Sequence, residues 1–337
     1  MIRYLVAAGL ACASLAAPAS AQERWRHEAS GVSVPRQVGE MRLSGEQDAS
    51  GGSNTDVIVQ FGDAETAVTL YVYRSAYPNA ALWFERTRLA MNEHVGAGER
   101  DAAPRSFTLG GAPSPNGLRE EIALSGGRAT GVAIAQIGEW MVKARITSAR
   151  LDVAGVTRRM DELLGALQFA QPPAAALPLV VPGPCRDETR RSGNLIRNPQ
   201  SEGIAAAALF GIVGYGEARG HGGLAAEPQS WCRETGGRLP VRFGTVYRRI
   251  DGTAWVALLA DSGRAIAAGP VDLPGRFRAA LYVSTPTSTQ VAALYDGTPD
   301  PDPAIELGIP IAVGMARGLT EIRMGNDREQ WPQGTKN

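Results

Sequence analysis

Five prolines crowd into the fourteen residues from Gln171 to Pro184 (QPPAAALPLVVPGP). Proline fixes φ and removes a backbone donor, so neither a helix nor a central strand runs through such a stretch. It follows an amphipathic segment and precedes Cys185, and it reads as an extended interdomain linker over 171–184. A first domain is expected at 22–170 and a second at 185–330, with a polar tail at 331–337.

The first 21 residues, MIRYLVAAGLACASLAAPASA, read as a secretory signal peptide. Arg3 gives the positive start, and Leu5 to Ala17 form an apolar run too short to span a bilayer. Ala19-Ser20-Ala21 is a small-x-small cleavage site, which puts the cut between Ala21 and Gln22. A lipidated start at Cys12 is disfavoured, because Gly9-Leu10-Ala11 lacks the usual aliphatic residue three places upstream and the apolar run would be cut short. A periplasmic or secreted protein is the expectation, with no transmembrane segment in the mature chain.

Of three cysteines, Cys12 leaves with the signal. Cys185 and Cys232 remain as an even pair in an oxidising compartment, which is most simply one disulfide. In the chain-entropy picture, closing a loop of that length stabilises by at most about 4 kcal/mol. The chain has 34 basic and 34 acidic residues, and a near-neutral protein has no global attraction for nucleic acid. Only Lys143 and Lys336 are lysines. Hydrophobic content of 44% excludes a largely disordered chain.

Val57 to Phe61 and Thr66 to Arg74 are β-type runs joined by a turn at Gly62-Asp63. In the second, Val68, Leu70 and Val72 share one face, and Thr69, Tyr71 and Tyr73 the other. Pro78 opens a helix expected to reach Val95, with Ala80, Phe84, Met91 and Val95 on one stripe. Strands are expected at Leu118–Leu124, Ala129–Ile137 and Trp140–Ile146. A second helix is expected over Leu151–Phe169, with Val153, Val156, Met160, Leu163, Leu164 and Leu167 at three-four spacing. This order predicts an α+β domain, an antiparallel sheet carrying helices.

Trp25-Arg26 ahead of Gly31-Val32-Ser33-Val34-Pro35, the alternating VTLYVYR strand, and Lys143-Ala144-Arg145-Ile146-Thr147 running into a leucine-rich helix form a loose pattern. In these features residues 24–170 resemble the PsbP-like and DcrB-like envelope proteins. The resemblance implies that group's fold and a non-enzymatic accessory role, and it carries no catalytic residues.

The second domain is expected to be mostly β with one or two helices. Strands are read at Val241–Ile250, Ala254–Leu259, Ala265–Val271, Phe277–Val283 and Val291–Tyr295, with a hairpin turn at Asp261-Ser262-Gly263. Gly203–Gly216 is apolar but short, a buried helix or strand rather than a membrane span. Asp300-Pro301-Asp302-Pro303 reads as a rigid exposed loop, and Pro310–Leu319 as a short helix.

Chemical motifs are sparse. Gly211, Gly214, Gly216 and Gly220 miss the dinucleotide spacing. His94 has no second histidine four residues upstream, so the zincin pattern fails. Among His27, His94 and His221, His221 in a glycine-rich segment is the weak candidate for a functional histidine. Asp296, Asp300, Asp302 and Glu306 do not follow a calcium-loop spacing and read as a solvated acidic turn. Gly-x-Ser-x-Gly is absent. The sequence therefore predicts a non-enzymatic envelope accessory or binding protein without cofactor or metal, meeting an envelope protein or a small ligand. The alternative is a secreted hydrolase whose site lies in the second domain.

Overall fold

The computed structural model describes residues 23–95, 103–170, 179–186, 193–209, 231–273 and 276–323. The signal segment with Ala21 and Gln22, linker residues 171–178, the glycines from 211 to 220, His221 and the tail lie outside the described residues, as does the His94 side chain.

The N-terminal half runs β1 (Arg24–His27), β2 (Val32–Pro35), β3 (Gln37–Val38), β4 (Met41–Asp48), β5 (Asp56–Gly62) and β6 (Thr66–Arg74). Helix α1 (Ala80–Val95) follows, then β7 (Arg105–Phe107), β8 (Gly117–Leu124), β9 (Arg128–Ile137) and β10 (Trp140–Ser148). Helix α2 (Val153–Ala166) and β11 (Gln168–Phe169) close this half. Strands β3 to β10 form one eight-stranded antiparallel sheet in the order β3-β4-β5-β6-β10-β9-β8-β7. Strands β1, β2 and β11 form a separate three-stranded sheet.

The C-terminal half begins with α3 (201–209) and continues through β12 (Trp231–Arg233), β13 (Gly244–Arg249), β14 (Trp255–Leu259), β15 (Arg264–Leu273), β16 (Arg276–Ser284) and β17 (Ser288–Tyr295). Helix α4 (Pro301–Ala312) and β18 (Thr320–Arg323) complete it. All seven strands pair in chain order as an antiparallel meander. The protein is thus of the mixed α+β class.

The period-two pattern of β6 explains how the large sheet is used. Val68, Leu70 and Val72, with Val142, Ala144 and Ile146 of β10, pack against Val156, Met160 and Leu163 of α2 and Val32 and Val34 of β2. Asp152 caps α2 by accepting from the Gly155 amide at 2.8 Å. The opposite face is buried as well. Tyr73, Val132, Ile134 and Met141 meet Trp83 and Phe84 of α1, which also touch Tyr247, Val256, Leu258 and Ala265 of the second sheet. Because α1 lies between two sheets, successive residues Ala81, Leu82, Trp83 and Phe84 are all buried, and the single apolar stripe read from the sequence is only part of its contact surface. Each fully buried side chain of this size contributes roughly 1.5–3 kcal/mol. One apolar cluster therefore includes side chains from both halves.

Several elements depart from the expected boundaries, among them β13, which begins at Gly244 rather than Val241 because the amides of Phe243 and Gly244 turn back onto Pro240 O. Helix α2 stops at Ala166, Leu167 turns extended (φ −67, ψ 137), and Gln168–Phe169 pair with β2 as a strand. Leucine periodicity marked the helix but not the point where a sheet edge captures the chain. The Asp-Pro-Asp-Pro segment is not a loop but the first turn of α4, where missing N–H groups cost nothing. Asp300 caps it by accepting from the Asp302 amide at 3.1 Å, and Pro310 falls in the last turn rather than opening a helix.

Candidate functional site

The disulfide pair anchors the rim of a cleft. The Sγ atoms of Cys185 and Cys232 are 2.09 Å apart, and Cys232 lies in the short strand β12. The Cys185 amide donates to Arg233 O at 2.8 Å, and the Arg233 amide donates to Gly183 O at 2.8 Å. Both bonds tie the segment before Cys185 to β12. The chain then enters Glu234 to Arg238, where Gly236 takes a positive φ of 93° that a larger residue rarely adopts.

This segment, β13 and the start of α4 enclose a cleft of about 490 Å3 lined by Glu234, Arg238, Arg248, Asp300, Asp302 and Glu306, with Trp255 among its apolar lining. Arg248 Nε donates to Glu234 Oε1 at 2.5 Å, and its side chain is only 10% exposed. The Arg238 amide donates to Asp302 Oδ1 at 3.0 Å. The Arg238 side chain, 80% exposed, reaches toward Asp302 and Glu306 at 4.0 and 3.8 Å. Trp255 is held by its Nε1 donating to Pro299 O at 2.9 Å. Among the lining side chains there are four carboxylates and two guanidiniums, so the cleft has a negative surplus.

The acidic residues singled out by spacing are distributed among separate tasks. Asp296 accepts from the Asn194 amide at 2.5 Å and its side-chain amide at 3.2 Å, Asp300 caps α4, and Asp302 and Glu306 face the cleft one turn apart. They do not form a single turn, although Asp296 and Glu306 are solvent-exposed as expected. Among the described residues no group of three histidine, cysteine or carboxylate side chains is arranged to hold a metal ion. His27 is structural: it is buried, with Nδ1 2.7 Å from Ser30 Oγ and Nε2 2.9 Å from Asn54 O, and Trp140 stands edge-on to its ring. Burial holds its pKa below the usual histidine value, against the pull of the Asn54 carbonyl and Glu46.

A second charged cluster lies between the halves. Lys143 of β10 is 1% exposed, its Nζ 3.0 Å from Asp261 Oδ2 in the β14–β15 turn and 3.9 Å from the Tyr71 ring centre. Thr87 Oγ1 of α1 donates to Asp261 Oδ1 at 3.3 Å. Burial lowers the Lys143 pKa, partly offset by Asp261. For Asp261 burial acts upward, but the Lys143 ammonium and Arg86 outweigh it and hold the carboxyl below its usual range. Also on α1, Glu85 bridges Arg88 and Arg233 of β12, each at 2.8 Å. The Ala76 amide donates to Gly263 O at 2.8 Å, directly across the junction.

Sequence reasoning named Cys185 and Cys232 and the acidic residues, but it did not bring Glu234, Arg238 and Arg248 to them. Lys143 offered a usable signal: a lysine between Val142 and Ala144, two residues after Met141 on the same face, sits where that face is then found buried. No protein-family model matches the sequence, and neither does any curated protein.

Proposed function

We propose that the chain is an exported, non-enzymatic binding or accessory protein of the bacterial envelope, and that the cleft beside α4 takes a polar ligand carrying positive charge. The cleft carries this reading: four carboxylates against two arginines, on a surface framed by the disulfide strand and a capped helix. Its volume is within the range of sites that take small molecules or a few residues of a peptide. The signal-like first 21 residues support export to the periplasm or beyond. The resemblance of residues 24–170 to PsbP-like and DcrB-like proteins supports an accessory role.

A thermal-shift series with spermidine, a tri-arginine peptide and a tri-glutamate peptide tests the ligand class. Binding to the native state raises the unfolding midpoint by mass action. A rise with the cationic probes, absent in Asp302→Asn/Glu306→Gln, supports the proposal, and a rise with tri-glutamate alone contradicts it. Turnover of an ester, peptide or glycan substrate that a point change in the cleft abolishes would show an enzyme instead.

A further inference from the structure

Asp56 opens β5 opposite Tyr73 of β6, and its Oδ1 is buried without a hydrogen-bond partner. Around it are Asp48 of β4, Tyr71 and Tyr73 of β6, Lys143 of β10, Asp261 of the β14–β15 turn and Arg264 of β15. Arg86 of α1 faces the same Lys143 and Asp261. His27 of β1 contacts Asn54 O two residues away. Asp261 already holds Lys143 at 3.0 Å, so this buried ammonium is committed. An ionised Asp56 is then a second carboxylate beside the Lys143–Asp261 pair, with Arg264 of β15 the other cation near it and an unsatisfied oxygen in a poorly solvated place.

We propose that Asp56, Lys143 and Asp261 make the union of the two halves proton-sensitive, tightest when Asp56 is protonated and Asp261 ionised. The close approach of the two halves makes the cluster sensitive to any shift. A Cβ on Gly263 would lie 2.8 Å from Arg74 O and 3.2 Å from the Tyr73 ring, so the turn bearing Asp261 sits directly on β6. Burial, reinforced by Asp48 and Asp261, pushes the Asp56 carboxyl up to about 6, although Lys143 and Arg264 pull it down. A carboxyl raised in the folded state stabilises below its unfolded pKa, and that contribution is lost as pH rises through about 6. Asp261, held low, contributes above the ordinary carboxylate range and loses its contribution as pH falls through its depressed pKa. The junction is therefore tightest in mild acid and looser at neutral pH.

Amide exchange in the full chain tests this directly, because the Ala76 N–H bonds to Gly263 O across the junction. Its protection factor is expected to fall about tenfold from pH 5 to pH 7, allowing for the partial exposure of Asp56. In Asp56→Asn the fall is expected to disappear, which separates Asp56 from the titration of His27. Carboxyl NMR of the unaltered protein gives a second readout, with an Asp56 midpoint near 6 expected. A midpoint near 4, or an undiminished fall in Asp56→Asn, overturns the proposal.

Discussion

The junction and the cleft are built from the same residue types and use them in opposite ways. At the junction Lys143 and Glu85 are about 1% exposed and each is matched to a partner within 3 Å. At the cleft one pair, Arg248–Glu234, is held at 2.5 Å, but at its mouth Arg238 is 80% and Glu306 68% exposed, and their nearest charged atoms stay 3.8 Å apart. A buried charge must be paired or its desolvation goes uncompensated, whereas an exposed pair is worth little and exchanges partners readily. Charge that cannot leave its partner organises the fold; charge that can leave is free to meet a ligand.

Four substitutions sharpen this contrast. Replacing both cysteines of the Cys185–Cys232 pair by serine is expected to cost about 2–4 kcal/mol by urea denaturation, and to weaken probe binding, since β12 leads straight into the cleft rim. Lys143→Met leaves Asp261 at the junction without its cation. Breaking buried pairs costs about 3–5 kcal/mol, and Asp261 keeps 38% of its side chain exposed, so about 3 kcal/mol is expected. Gly263→Ala forces both a positive φ of 67° and a contact with Arg74 O, for a loss of about 2 kcal/mol visible in the same unfolding curves. Glu306→Gln is expected to change stability by under about 0.5 kcal/mol while removing binding of tri-arginine. A large stability loss from Glu306→Gln, or none from Lys143→Met, would erase the distinction between the two regions.

Most strands were legible because alternation survives burial on two different faces. Val68, Leu70 and Val72 were correctly set apart from Tyr71 and Tyr73, although both sets are inside. The strands flanking the Asp261-Ser262-Gly263 turn were legible for the same reason. The turn's second task, docking on β6, was not, because it depends on a segment nearly two hundred positions away in the chain. Asp-Pro-Asp-Pro was misread as a loop because proline signals both a break and a helix start, and only the hydrogen bond from the Asp302 amide to Asp300 separates the two. The cleft was out of reach for the same long-range reason: Glu234 and Arg248 meet Asp302 and Glu306 only after β13 and α4 have packed on one sheet.

Chemical-shift mapping of the 15N-labelled protein with tri-arginine tests most directly whether the cleft, and not the junction, is the working surface. Saturable shifts confined to Gly236, Gly237, Arg238 and Gly252, with Ala76 and Lys143 unmoved, are expected from the cleft lining. Shifts centred on the junction amides, or none at the cleft at millimolar peptide, would contradict it.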